Sequence, residues 1–361
     1  MKNGASCALA IVAMLMLATF SGCIGQITDG ISKYANFDNA HNQNDAIKEA
    51  PKNNTTNSAK TAPKSNSQNN TSNSKTSSVS NTSTQEKQKN LTHKWALFVV
   101  NANSDAGEKL ENGNLYLAEN ISNYLIEKFN YTKERTTILF DDGNYRADNG
   151  AGEIIGPSPY GAAKKQNVID NISKIIEESN KYNDSEVFIW MFDHGASMFV
   201  MDSLICLWDG EIYDYELAKM LEPLKSQKVC IIIDACQTGG FADKLIFGID
   251  DGDPAGVVKT GRVVMTGASE PTFGWSNAIN GPAFSYLWFE GLRNGVADGY
   301  DELALQQGMP LGTKDNKVSV EEAFWYSRCA IKTDVVSLAY YGYDVESQPQ
   351  MNDQYDGDFF L

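Results

Sequence analysis

From Lys94 onward the chain alternates two hydrophobic patterns. Trp95 to Val100, Thr136 to Phe140, Glu186 to Asp193, a run from about Lys228 and Gly261 to Thr266 are short apolar stretches. Runs of this kind predict strands buried on both faces of a parallel sheet. Between them the spacing changes to that of helices. Gly113 to Phe129 carries Leu115, Leu117, Ile121, Tyr124 and Leu125 on one stripe. Ala163 to Asn180, Asp214 to Leu221, Phe284 to Arg293 and Val320 to Ile331 also read as helices. Met198 to Trp208 is apolar and strand-like, predicting a hairpin, whereas Gly143 to Tyr160 and Ala297 to Lys317 read as loops. Alternating strands and helices predict an α/β fold whose parallel sheet is covered on both faces.

The first 92 residues follow neither pattern. Met1-Lys2 precedes an apolar stretch, Ala8 to Ala18, and then Phe20-Ser21-Gly22-Cys23. A basic start, an apolar core and small residues before a cut describe an export signal over residues 1–23. The core is shorter than the roughly 20 apolar residues a membrane span needs. Its end resembles a prokaryotic lipoprotein box, with Phe20 where that box usually has Leu, which makes Cys23 the expected lipidation site. Residues 24–92 are dominated by Asn, Ser, Thr, Lys and Gln. Such a segment buries too little apolar surface to offset its ordering entropy, so a disordered tether is expected. Its N-glycosylation patterns at Asn54, Asn70, Asn81 and Asn90 arise readily in any tract of this composition. The expectation is an extracytoplasmic protein, anchored at the cell surface by lipid or secreted, with its folded domain at 93–361.

Composition narrows the partners. A net charge of −16 over 361 residues argues against nucleic acid or an anionic membrane surface as the main partner. His41 and His93 lie in or beside the tether, leaving His194 alone inside the domain. With one histidine and scattered cysteines the domain offers no metal cluster, and no cofactor is expected. Asp250-Asp-Gly-Asp253 begins like a calcium loop but lacks its later ligands and reads as a solvated acidic turn.

Two apolar runs end abruptly in a reactive side chain: Val187 to Phe192 runs into Asp193-His194-Gly195, and Val229 to Asp234 into Ala235-Cys236-Gln-Thr-Gly-Gly240. In open α/β sheets, ligands bind in the crevice beyond the carboxyl ends of the strands. A histidine leaving one strand and a cysteine leaving the next meet there, the arrangement of a cysteine nucleophile with its base. Glycines after each supply close backbone approach and N–H groups for an oxyanion. A lone histidine is more often buried and satisfied by a neighbour, and Cys206 and Cys230 fit the role of small buried hydrophobes. The pairing of two strand ends sets His194 and Cys236 apart. Asp193 precedes His194 directly and therefore points to the opposite side, where it fits a turn.

His194-Gly195 and Asp234-Ala235-Cys236 resemble the two signatures of the caspase-like clan of cysteine peptidases. Phe192-Asp-His-Gly195 is similar to the pattern of its legumain family, which includes the glycolipid-anchor transamidases. Trp95 to Asn103 and Ile138-Leu-Phe-Asp-Asp142 resemble that family's first two strands. The resemblance implies a caspase–hemoglobinase fold, a three-layer sandwich around a mostly parallel six-stranded sheet. It implies hydrolysis of peptide bonds in protein or peptide substrates through a thioester on Cys236, with His194 as base. The amides of Gly195 and Cys236 would hold the oxyanion, and an asparagine, Asn103 or else Asn112 or Asn114, would orient the histidine. Polar loop asparagines are as often turn formers.

The chain departs from legumain in specificity. Gly113-Asn-Leu-Tyr-Leu117 has no arginine where legumains grip asparagine. Asp234 matches the pocket carboxylate position, where metacaspases carry an aspartate and cleave after Arg or Lys; the same residue would also serve as a plain turn cap. Ser269, Trp275 and Ser276 fall along the expected substrate groove or pack in the core. Two other readings stand beside the endopeptidase. One is a transamidase or ligase using the same dyad, to which Ile231 to Gln237 is similar; the other is a catalytically silent surface lipoprotein that binds a partner.

Overall fold

In the computed structural model the described residues are 93–101, 113–146, 153–198, 202–252, 254–277, 280–340 and 347–361. The signal, Cys23, the tether with its glycosylation patterns, Asn103 and Asn112 lie outside them.

The apolar runs become β1 (His93–Val100), β2 (Thr136–Phe140), β5 (Ser185–Phe192), β9 (Val229–Asp234) and β10 (Arg262–Thr266). With β13 (Gln350–Asp353) they form one six-stranded sheet in the order β13-β10-β9-β5-β1-β2. Every neighbouring pair is parallel except β10 with β13. Side chains alternate between the faces. Phe98, Phe188, Trp190 and Ile232 face one cluster with Leu115 and Ile121 of α1 (Gly113–Phe129), Trp288 of α4 (Ala283–Asn294) and Phe324 of α6 (Val320–Tyr340). Leu97, Val99, Ile189, Met191, Ile231 and Ile233 face a second cluster with Val168 and Ile172 of α2 (Lys165–Ser179) and Leu217 and Leu221 of α3 (Asp214–Leu221). This is the expected three-layer α/β sandwich. Because both faces are covered, β5 and β9 are buried along their whole length, which is why neither strand alternates polar with apolar.

Several short elements escaped the hydrophobic pattern. The stretch read as a loop holds a small hairpin, β3 (Asn144–Arg146) and β4 (Ile154–Pro157). The expected hairpin is a three-stranded sheet of β6 (Gly195–Met198), β7 (Asp202–Leu207) and β8 (Gly210–Tyr213). The polar stretch 297–317 carries a single-turn helix, α5 (Ala304–Gln307). Helix α6 runs nine residues past the expected Ile331. Among the described residues no helix is long and apolar enough to cross a membrane.

The amino-terminal edge of the sheet is tied by charge. Glu186 is fully buried between Lys94 (3.1 Å) and Lys228 (2.8 Å) and accepts the Tyr131 hydroxyl at 2.8 Å. Burial pushes the Lys94 pKa down, with Glu186 opposing it. Chemistry is left to the opposite edge. There β2 lies on one side of β1 and β5, β9 and β10 on the other, so the order reverses at β1 and opens a crevice at the strand ends.

Candidate active site

Strands β5 and β9 pair in parallel up to the register Phe192 with Asp234. His194 and Cys236 each stand two residues beyond that pair, in the turns that leave adjacent strands. Neighbouring strands lie about 4.8 Å apart, so the two backbones leave the sheet side by side.

Gly195 sets the contact between them. A Cβ at this position would sit 2.2 Å from the Cys236 carbonyl oxygen and 2.9 Å from the Ala235 Cβ. No other residue allows the two turns to touch. The His194 backbone is held at both groups: its N–H donates to Asp193 Oδ1 at 2.6 Å, and its carbonyl accepts from Cys206 N at 2.8 Å. Asp193 thus caps the turn that carries the histidine, as its position beside His194 suggested. Burial pushes the Asp193 pKa well up, the His194 N–H opposing and the nearby Asp141 adding to it. Asn101, at the end of β1, is buried, its backbone N–H donating to the Phe192 carbonyl at 3.0 Å.

Cys236 is half-buried with a free thiol, its Sγ 3.7 Å from the Gly274 carbonyl oxygen. Gly274 lies flat against the preceding peptide; a Cβ there would be 3.2 Å from the Ala235 carbonyl carbon. The next residue, Gln237, turns sharply with φ 55°, a left-handed conformation uncommon outside glycine. Hydrogen bonds hold it on every side. Its N–H donates to Thr272 O at 2.8 Å, its carbonyl accepts from Ser203 Oγ at 2.8 Å, and its Oε1 accepts from Ser197 N at 3.1 Å. Cys230 and Cys329 are buried free thiols. Desolvation pushes the Cys230 pKa well up, so this thiol is held protonated.

The remaining predicted residues spread around this pair. Asp234 is buried on the α4 face; its Oδ2 accepts both the N–H (2.9 Å) and the hydroxyl (2.7 Å) of Ser285, and burial pushes its pKa up to about 6. Ser285 in turn accepts the Trp190 indole N–H at 2.8 Å. Ser269 is fully buried and pairs with the Thr272 hydroxyl at 2.8 Å, inside the turn beside Gln237. Trp275 is half-buried, its carbonyl accepting Ala283 N at 2.7 Å. Ser276 donates to Asn114 Oδ1 at 2.8 Å, which brings one of the three candidate asparagines, at the start of α1, onto the strip that follows Gly274. Ser197, Ser203 and Glu270 went unnoticed in the sequence. Their link to Gln237 spans 33 to 40 positions and leaves no local pattern.

The model of the peptidase C13 family matches residues 162–250, a span that includes His194, Gly195, Asp234 and Cys236. Over that span the chain is similar to the legumain-type peptidases. The match supports a cysteine-type peptidase, a hydrolase of protein or peptide substrates. Among solved structures, caspase-1 from Spodoptera frugiperda aligns with TM-score 0.45 and 14% identity, over 73% of this chain and 88% of that one. No curated protein matches the chain.

Proposed function

We propose that the domain is an endopeptidase working through Cys236 and His194. His194 takes the thiol proton as Cys236 attacks the scissile carbonyl, and returns it to the leaving amine as the thioester forms. Water then hydrolyses the thioester and regenerates the thiol. The amides of Gly195 and Cys236 are assigned to the oxyanion. The observation that carries this reading is the shared register: His194 and Cys236 lie two residues past the paired Phe192 and Asp234. Replacing Cys236 by Ala tests it. Cleavage of every peptide in a mixed library should vanish, and activity persisting in that variant would sink the reading.

A basic residue before the scissile bond is part of the proposal. Asp234 is a buried carboxyl two positions before the nucleophile, and the bonds from Ser285 engage only its Oδ2. A buried carboxylate gains most from a cationic partner. A positional-scanning peptide library decides between a basic residue and asparagine at that site. Ser269, Trp275 and Ser276 border the same groove in this reading.

An extracytoplasmic location is part of the proposal, and the signal-like character of residues 1–23 supports it. Export follows from residues 1–23, lipid attachment from Cys23, and a spacer role for residues 24–92 from their polar composition. Metabolic labelling with a fatty-acid analogue should tag the wild type and not Cys23→Ser; label kept by that variant, or absent from the wild type, would refute the lipid anchor.

A further inference from the structure

Glu270 lies outside every motif, yet it is fully buried beside the nucleophile turn. Its Oε1 accepts the Ser197 hydroxyl at 2.8 Å, while Oε2 is buried without a hydrogen-bond partner. Ser197 lies on β6, three residues past His194, and its N–H donates to the Gln237 side chain at 3.1 Å. One short chain of contacts therefore runs from Glu270 through Ser197 to Gln237, next to Cys236. The packing beneath it is tight. A Cβ at Gly239 would be 2.5 Å from the Glu270 nitrogen, and that nitrogen donates to Leu245 O at 3.0 Å.

We infer that Glu270 is a positioning residue, which through Ser197 locks Gln237 in its left-handed conformation and so fixes Cys236 against the strand that carries His194. A left-handed backbone at a residue with a side chain is unfavourable and persists only where the surroundings impose it. Ser197 is the residue that bonds to both: its backbone N–H donates to the Gln237 side chain and its hydroxyl donates to Glu270. Burial, with Asp251 and Asp202 nearby, pushes the Glu270 pKa up, and the bond from Ser197 only partly opposes this. What Ser197 needs from Glu270 is one acceptor oxygen, Oε1. Glutamine reproduces that arrangement, with its carbonyl toward Ser197.

This inference rests on the dyad reading, and its test has an arm independent of peptidase activity. Glu270→Ala, Glu270→Gln, Ser197→Ala and the Glu270→Ala/Ser197→Ala double variant are compared with the wild type in the full chain. The alanine variants should lose on the order of 10-fold in kcat with KM changed less than about twofold, because a misplaced nucleophile still binds substrate. Glu270→Gln should stay within about threefold of wild type, and the double variant should fall no further than the weaker single. Hydrogen exchange at the amides of residues 236–240 should quicken in the alanine variants and not in Glu270→Gln. Glu270→Gln as impaired as Glu270→Ala, additive losses, or unchanged exchange in Ser197→Ala would overturn the inference. A wild type that cleaves no peptide, with exchange behaving as expected, would refute the peptidase reading alone.

Discussion

Asp234 accepts two hydrogen bonds from Ser285 on one carboxylate oxygen, the backbone N–H at 2.9 Å and the hydroxyl at 2.7 Å. The residue two positions before the nucleophile is thereby tied to the first turn of α4, across 51 positions of sequence. Its other oxygen lies against Gly267, where a Cβ would approach within 2.0 Å. Burial holds its pKa at about 6, above the unfolded aspartate value. Two consequences have opposite signs. The raised pKa means that Asp234 favours folding most below about pH 4, and this contribution is lost as the pH rises through about 6. Pairing with a cationic substrate needs the ionised form, so kcat/KM for a basic substrate should rise across the same window. Asp234→Asn should therefore be more stable than wild type at pH 8, by about 1–3 kcal/mol, and should lose both the preference for basic residues and that acid limb. Denaturant titrations at pH 4 and 8, with pH–rate profiles on Arg and Leu peptides, check both.

Gly195 carries a steric prediction. An added methyl would lie 2.2 Å from the Cys236 carbonyl, against backbone that cannot swing aside. Gly195→Ala must push the histidine strand away from the cysteine turn. Overpacking of this kind costs roughly 1–3 kcal/mol, and a shift near 1 Å costs on the order of 100-fold in rate. Activity should fall far more than the melting temperature suggests; a variant as active as wild type would show that the two turns need not touch.

How much of this was legible depended on whether the signal was local. The continuous apolar runs of β5 and β9 announced strands buried on both faces, and their abrupt ends at His194 and Cys236 announced the crevice. Helix α1 follows its leucine stripe over the whole expected length, Gly113–Phe129. Strand β13 was invisible because Gln-Met-Asn-Asp has no strand pattern of its own; antiparallel pairing with β10 makes it a strand. The same holds for the β3–β4 hairpin in a Gly/Pro-rich stretch. Ser197 and Glu270 are 73 positions apart, and a hydrogen bond at that separation leaves no periodicity to read. Asn114, one of the three candidate asparagines, meets Ser276 across 162 positions, a contact with no trace in the local pattern.

The far edge of the sheet offers a control on stability. Glu186 balances Lys94 and Lys228 while buried under Tyr131. Glu186→Gln leaves the buried Lys94 without its counter-charge, and breaking a buried pair in this way costs about 3–5 kcal/mol. Chemical denaturation should show that loss through a lower midpoint. Because this edge lies opposite the crevice, kcat at a temperature where the variant stays folded should match wild type.

Thiol chemistry separates a working site from a silent one. Cys230 and Cys329 are buried, and Cys236 is half-buried at the strand ends, so geometry alone gives Cys236 some lead in alkylation. A dyad demands more than that lead. If His194 takes the Cys236 proton, the thiolate fraction at neutral pH should exceed that of an ordinary exposed thiol, and the thiolate is the form that reacts. Iodoacetamide labelling read by mass spectrometry should modify Cys236 well before Cys230 and Cys329. His194→Ala should slow that labelling on the order of 10-fold without altering exposure. A surface-binding lipoprotein with a vestigial site predicts equal rates in the two proteins. Running active enzyme with an added amine nucleophile then resolves the remaining chemistry: an endopeptidase yields hydrolysed ends only, whereas a transamidase yields the amide of the acceptor.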